Sequence, residues 1–139
     1  MVTIKKDHFS IGQICDSGQC FRLEKLAEKE GVEEKERYAL TALGRYLEIK
    51  QAADEISFFC TQEEFDQIWK SYFDLEEDYG RIIGLIDRED SYLAKAASYG
   101  SGIRILKQDL WEMIISFIVS QQNNLRRIRK CISFLCSRY

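Results

Sequence analysis

The sequence predicts an α+β fold in which a sheet-forming region comes first and helices follow. Up to about residue 60, apolar and polar residues alternate with a period of two, as in strands that bury one face. From Thr61 onward, apolar residues recur at helical spacing instead. With 139 residues and 45% apolar side chains, the chain is long enough to bury one ordinary core.

Short apolar runs indicate four strands in the first part of the chain. They are Phe21-Arg22-Leu23, Tyr38-Ala39-Leu40, Tyr46-Leu47-Glu48-Ile49 and Ile56-Ser57-Phe58-Phe59. Gly44 with Arg45 separates two of these runs and predicts a hairpin turn. The segment from Glu24 to Arg37 is rich in charged residues and contains Gly31, so we expect an exposed loop or hairpin end there.

A capping box opens the helical part of the chain. The Thr61 hydroxyl can accept from the backbone N–H of Glu64, and the Glu64 carboxylate can reach back to the helix start. The apolar residues that follow share one helical face: Phe65, Ile68, Trp69 and Tyr72. Two further helices are predicted around Tyr79 to Asp87 and from Ser91 to Tyr99.

Two capped helices end the chain. Asp109 and Glu112 start the first, which is apolar nearly all round and is therefore expected to be a buried central helix. Asn124 caps the second, which runs to Tyr139 without a glycine stop, so we expect the chain to end within a domain. The apolar stripe of this helix is Leu125, Ile128, Cys131, Ile132 and Leu135, and its outward residues are Arg126, Arg129 and Lys130.

The net charge of −3 conceals a separation of charge along the chain. Residues 1–100 carry 13 basic and 21 acidic side chains, a balance of −8, whereas residues 101–139 carry seven basic and two acidic, a balance of +5. Because phosphate contacts dominate nucleic-acid affinity, a basic C-terminal segment on an acidic protein suggests a localised DNA-facing surface. A solvated helical face is the alternative that charge alone leaves open.

The composition argues against metal and membrane functions. His8 is the single histidine, and the five cysteines, Cys15, Cys20, Cys60, Cys131 and Cys136, contain no C-x-x-C pair. We therefore expect no zinc or other metal site and no cofactor, with each cysteine acting as a small buried apolar residue that stays reduced. No long apolar run and no basic-then-apolar leader occurs, so we expect a cytoplasmic, nucleoid-associated or nuclear protein that is neither secreted nor membrane-bound.

Two polar motifs about a hundred residues apart resemble one protein family. The first is Ser17-Gly18-Gln19-Cys20-Phe21-Arg22, and the second is the run from Ser116 to Arg127, in which Ser-Gln-Gln-Asn-Asn joins two helices. Between them lie Tyr72-Phe73-Asp74-Leu75 and the segment from Gly102 to Asp109. In order and spacing these segments resemble the N-terminal half of 8-oxoguanine DNA glycosylases, which are also AP lyases. Taken alone, the first motif is a turn before a strand and the second a helix cap.

The resemblance implies a fold and a set of site residues. It implies a TATA-binding-protein-like antiparallel sheet domain with helices over residues 1–105, then the start of a helical domain over residues 106–139, cut before a helix-hairpin-helix. The Gly18 carbonyl would recognise the lesion base, Gln122 would fill the gap left by the flipped base, with Asn123 able to share that role, and Arg127 would contact the estranged base. Arg126, Arg129 and Lys130 are candidate phosphate contacts.

The resemblance also implies a partner and a division of labour. The partner would be double-stranded DNA that contains an oxidised purine, and the catalytic lysine and aspartate of the family would follow residue 139. We therefore expect no catalytic residue in this chain and no activity from the chain alone. The alternative of a different class is a non-catalytic DNA-binding or protein-interaction domain, which a lysine and aspartate encoded after Tyr139 would argue against.

Overall fold

The protein, described as a computed structural model over residues 1–27, 36–87 and 89–138, is built on a five-stranded antiparallel sheet. The strands are β1 (Val2–Lys5), β2 (Leu23–Lys25), β3 (Arg37–Ala42), β4 (Arg45–Ala52) and β5 (Glu55–Phe58). Their order across the sheet is β1-β5-β4-β3-β2. This arrangement, with the helices that follow, confirms the predicted α+β class.

The hairpin predicted at Gly44 connects β3 to β4. Leu40 pairs with Leu47 and Ala42 with Arg45, so the turn contains only Leu43 and Gly44. Both turn residues have positive φ, 53° and 69°, which is the backbone of the tight turn that matches strand twist. The loop expected from Glu24 to Arg37 is shorter than predicted, because β2 extends to Lys25 and β3 begins at Arg37; residues 28–35 lie outside the described part of the chain.

Seven α-helical segments and one π-helical segment complete the fold over the described residues. They are α1 (Ile11–Asp16), α2 (Gln62–Glu64), the π-helical segment (Phe65–Trp69), α3 (Lys70–Tyr72), α4 (Tyr79–Gly84), α5 (Ser91–Tyr99), α6 (Leu110–Ser120) and α7 (Leu125–Arg138). At the start of α2, Thr61 Oγ1 accepts from the Glu64 amide at 3.1 Å, which confirms half of the capping box. The Glu64 carboxylate does not reach back but accepts from Trp69 Nε1 at 3.0 Å. None of the described helices is long and apolar enough to cross a membrane.

The core lies between one face of the sheet and the helices of the first hundred residues. Phe58 on β5 is fully buried, and its ring lies 5.1 Å from that of Phe65 and 5.7 Å from that of Phe73. The predicted apolar face of residues 65–72 packs here, since Phe65, Trp69 and Tyr72 are buried and Ile68 is partly buried. Aromatic rings at these separations add edge-to-face attraction to the burial of apolar surface.

The predicted burial of α6 is wrong. No residue of α6 is buried, and the exposed fraction is 69% for Trp111 and 66% for Phe117. A helix that is apolar all round needs neighbours on several sides, but among the described residues α7 and the sheet side contact only part of α6. On α7, Ile128 and Ile132 are buried as expected, whereas Leu125 and Leu135 are exposed.

The cysteines divide into a buried and an exposed group. Cys15 and Cys20 are buried, and burial raises the pKa of both thiols, so they act as small apolar residues as predicted. Cys60 is partly buried. Cys131 and Cys136 are exposed on α7, so the expectation of burial is wrong for these two, because α7 packs through only one narrow face.

A buried arginine joins the N-terminal strand region to the helices. Arg104 is 1% exposed, and its guanidinium donates to the backbone carbonyls of Asp7 (3.3 Å), His8 (3.0 Å), Asp74 (2.6 Å) and Glu77 (3.4 Å). It also lies over the ring of Tyr79, 4.4 Å from the centroid. Burial lowers the pKa of Arg104, and the carbonyls and the ring compensate the buried charge.

We expect Arg104→Met to lower the free energy of unfolding by about 3 kcal/mol or more, because four backbone carbonyls would lose the buried guanidinium that donates to them. Urea unfolding followed by tryptophan fluorescence measures this change. Arg81→Met is the control, since Arg81 is exposed and makes only a 3.8 Å ion pair with Glu77. Equal small losses in both variants would show that the Arg104 contacts do not stabilise the fold.

Candidate nucleic-acid interface

The structure brings Gly18 to the first residue of α7. α1 ends at Asp16, Ser17 caps it, and Gly18 follows with a φ of 76°, a conformation that glycine adopts without strain. A Cβ placed on Gly18 would lie 3.7 Å from Cδ2 of Leu125. Leu125 directly follows the Asn123-Asn124 pair, so the two sequence motifs lie side by side although 107 positions separate Gly18 from Leu125.

The backbone carbonyl of Gly18 is available to a ligand. Among the hydrogen bonds of residues 1–27, 36–87 and 89–138, none uses this oxygen as acceptor. Gly18 is partly exposed, so the oxygen is not sealed inside the core. An acceptor at the surface, on a residue without a side chain, permits close approach of a flat ligand such as a base.

Gln19, which the sequence motif contains without indicating its role, ties this region to the connection between α5 and α6. Its Nε2 donates to the carbonyl of Arg104 at 2.9 Å, and its Oε1 accepts from the amide of Leu106 at 3.0 Å. Its own backbone carbonyl accepts from Gln108 Nε2 at 2.7 Å. The sequence motif includes Gln19, but a local pattern does not predict hydrogen bonds to partners more than 80 positions away.

In the turn between α6 and α7, the Asn123 and Asn124 side chains make hydrogen bonds within the protein, whereas the Gln122 side chain is exposed to solvent. Asn124 Oδ1 accepts from the amide of Arg127 at 3.1 Å, which confirms the predicted cap. Asn123 is engaged on both sides, because its Nδ2 donates to the Val119 carbonyl and its Oδ1 accepts from the Asn124 amide, both at 3.0 Å. The Gln122 side chain makes no hydrogen bond within the described residues, and the residue is exposed with a φ of 51°.

The basic side chains of α7 point into solvent beside this turn. Arg126, Arg127, Arg129 and Lys130 are all exposed. A cleft of about 720 Å³ separates α7 from the β2 edge, and Arg22, Arg129 and Lys130 line it. Asp16 lines a second depression with Leu125 and Arg126. The predicted candidates Gly18, Gln122, Asn123 and the α7 cations are therefore parts of one surface region rather than scattered positions.

An ion pair attaches the start of α6 to the first motif. Arg22 lies 3.8 Å from the carboxylate of Glu112, in the first turn of α6. Burial raises the pKa of Glu112, and the guanidinium of Arg22 opposes this effect. The Asp109 side chain caps the same turn, accepting from the Glu112 amide at 3.0 Å, as the sequence predicts.

Lys107 does not have the environment of an amine nucleophile. Lys107 Nζ lies 2.7 Å from Asp74 Oδ1, and this contact raises the pKa of Lys107. A lysine that attacks carbon needs a lowered pKa, so that the neutral amine is present near neutral pH. Across residues 1–27, 36–87 and 89–138, no group of three or more histidine, cysteine or acidic side chains could hold a metal ion.

Solved structures with the same fold define the class of protein. MBOgg1, solved in complex with a low-affinity DNA ligand, is 36% identical and superimposes with a TM-score of 0.79 over 92% of this chain and 42% of its own. The 8-oxoguanine glycosylase/lyase of Clostridium acetobutylicum, solved with double-stranded DNA containing cytosine opposite 8-oxoguanine, is 32% identical with a TM-score of 0.79, over 95% and 46% of the two chains. The fold is therefore that of the N-terminal portion of DNA glycosylase/lyases.

Sequence comparison identifies the family. The sequence model of the 8-oxoguanine DNA glycosylase N-terminal domain matches residues 1–114, so the chain belongs to the 8-oxoguanine DNA glycosylase family. The N-glycosylase/DNA lyase of Saccharomyces cerevisiae is 27% identical over 151 aligned positions, which cover 99% of this chain and 38% of the yeast protein. The chain thus spans less than half the length of these relatives.

We expect Asn124→Ala to destabilise the start of α7 by about 1 kcal/mol, because the Arg127 amide would lose its cap. Amide hydrogen exchange across residues 124–130 measures this change locally, and exchange in α1 should stay unaltered. Asn124→Ser keeps a capping oxygen and should restore most of the protection. Equal exchange in the alanine and serine variants would show that the cap does not hold this end of α7.

Proposed function

We propose that this chain is the N-terminal part of a DNA glycosylase with AP lyase activity that flips 8-oxoguanine out of duplex DNA and excises it. The observation that carries the proposal is the position of Gly18, which has an unengaged carbonyl among the described hydrogen bonds and lies beside Leu125, the first residue of the basic helix α7. A base acceptor and a phosphate-binding helix on one surface fit a protein that binds the duplex while it inspects a single extruded base.

The Gly18 carbonyl supplies the chemistry for lesion selection. 8-Oxoguanine carries a hydrogen on N7, whereas guanine has only a lone pair there. A carbonyl aimed at N7 accepts a hydrogen bond from the lesion but meets lone-pair repulsion from guanine. One such contact is worth about 1–3 kcal/mol of discrimination, on the scale of a buried hydrogen bond.

The turn and α7 supply the grip on the duplex. Gln122 has a free, exposed side chain and fills the gap that the flipped base leaves in the stack. Asn123 contributes only by giving up its bond to Val119, so it is the weaker candidate. Arg127 donates to the base opposite the lesion, while Arg126, Arg129 and Lys130 neutralise phosphates.

We assign the catalytic step to residues that follow Tyr139 in the complete protein. Base excision coupled to strand cleavage uses a lysine amine, which attacks the sugar C1′ and forms a Schiff base. Lys107 is unsuited because Asp74 stabilises its ammonium form. We therefore infer that neither the catalytic lysine nor its aspartate partner lies in residues 1–139, and that this chain alone does not excise the lesion.

Borohydride trapping tests the proposed activity. The complete gene product and the chain of residues 1–139 are each incubated with a duplex that carries one 8-oxoguanine opposite cytosine, and the Schiff base is reduced. We expect a covalent adduct from the complete product only. An adduct from residues 1–139 would contradict the assignment of the nucleophile, and retained DNA binding without any adduct from the complete product would favour a non-catalytic DNA-binding domain.

In the complete protein, Arg127→Ala should reduce discrimination among bases opposite the lesion more than it reduces overall affinity. The removed guanidinium would otherwise read a base edge, a contact worth about 1–3 kcal/mol. Single-turnover excision with cytosine, adenine and thymine opposite 8-oxoguanine measures the effect. Arg126→Ala is the matched control and should weaken all duplexes alike; a uniform loss in Arg127→Ala as well would make Arg127 a phosphate contact.

A further inference from the structure

We propose that Ser17 and Gln19 are positioning residues that fix the direction of the Gly18 carbonyl, so that lesion selectivity depends on them although neither reads the base. This inference rests on the proposed function of Gly18 as the acceptor for N7–H. It assigns to the Gln19 side chain a role in specificity that is separate from holding the sheet domain together.

The first support is the peptide that joins Gly18 to Gln19. In a trans peptide the C=O and the next N–H point in opposite directions, and no described peptide bond is cis. The backbone N–H of Gln19 is directed at Ser17 Oγ, with an N to Oγ distance of 3.5 Å. The same Oγ also accepts from the side-chain Nε2 of Gln19 at 3.1 Å. Ser17 Oγ itself donates to the Ile14 carbonyl in α1 at 2.7 Å. The Gly18 carbonyl is thereby turned away from the end of α1.

The second support is the anchoring of Gln19 on its far side. Its side chain bridges the Arg104 carbonyl and the Leu106 amide, and Gln108 holds its backbone carbonyl. Polar contacts therefore restrain both ends of the residue that follows Gly18. Glycine alone would let the carbonyl rotate, since its backbone has the widest conformational range of any residue. Restraining its neighbour removes that freedom before the base arrives, which is how preorganised acceptors gain selectivity.

A second glutamine, Gln13, makes the same kind of bridge at a distance from Gly18. Gln13 donates to the Tyr99 carbonyl and accepts from the Gly102 amide, both at 2.8 Å. Gln19 makes the corresponding pair of bonds to the Arg104 carbonyl and the Leu106 amide, a few residues further along the chain. Gln13 lies within α1 and has no contact with the Gly18–Gln19 peptide, so it provides a matched control.

The test measures the affinity of the complete protein for three duplexes at one salt concentration. Each carries a single central position opposite cytosine: a 2′-fluoro-8-oxoguanine nucleotide that resists excision, guanine, or a tetrahydrofuran abasic analogue that has no base to contact Gly18. The variants are Gln19→Met, which keeps side-chain volume without the amide, Ser17→Ala, and the control Gln13→Met.

For Gln19→Met we expect about a tenfold loss of affinity for the 8-oxoguanine duplex, the equivalent of one well-aligned hydrogen bond, with the abasic affinity unchanged. Ser17→Ala should lose less affinity for the 8-oxoguanine duplex, again with the abasic affinity unchanged. This second variant keeps the test decisive if Gln19→Met does not fold. Gln13→Met should lower thermal stability without changing the ratio of the affinity for the 8-oxoguanine duplex to the affinity for the abasic duplex.

The contrary outcomes are distinct. Losses that are equal on the lesion and abasic duplexes, or a Gln13→Met variant that loses the same selectivity, would overturn the positioning role and leave a structural one. A wild-type protein that binds 8-oxoguanine and guanine duplexes equally would instead overturn the proposed lesion recognition itself. A selective wild type with an unaffected Gln19→Met variant would overturn only this inference.

Discussion

The arrangement of the molecule depends on a buried positive charge held by neutral carbonyl groups. Arg104 donates to four backbone oxygens that come from the end of β1 and from the segment after α3. These segments are more than 65 positions apart in sequence, and no sheet pairing connects them. A guanidinium suits this position because its five N–H groups form a rigid planar fork, which can satisfy several acceptors while its flat face rests on Tyr79.

The same arginine begins the connection that leads to α6 and α7. Gln19 holds residues 104–108 on one side. On the other side, the Lys107 backbone amide donates to the Tyr72 carbonyl, and the Lys107 ammonium pairs with Asp74. The Ile105 amide donates to the Tyr79 hydroxyl. The path of the chain from the core to α6 is therefore fixed by hydrogen bonds together with the burial of Leu106 in the core. This explains how α6, with no buried residue, still leads to α7, whose first residue, Leu125, lies beside Gly18.

Local patterns predicted those elements whose stabilising contacts are themselves local. Alternation located the β3–β4 hairpin, and the Thr61, Asp109 and Asn124 caps placed helix starts correctly. α1 was missed because six residues are too few for helical periodicity to register, and β1 was missed although it is as long as β5. The burial of Arg104 and the bridge made by Gln19 were missed because their partners come from distant parts of the chain. The exposure of α6 runs against its composition, which records only that the helix is apolar.

The separation of charge gives the molecule an electric dipole, with the cationic end at the exposed face of α7. The electric field of a polyanion rotates such a molecule before contact. Most productive encounters therefore begin with α7 and the amide turn facing the polyanion. The orienting torque acts over roughly 10 Å at about 0.1 M salt and weakens as ions screen it. Under the proposed function, repulsion between phosphate and the acidic residues of the first hundred positions would shorten the residence of the protein on undamaged DNA, and the search for a lesion would proceed through brief collisions that present α7 to the duplex.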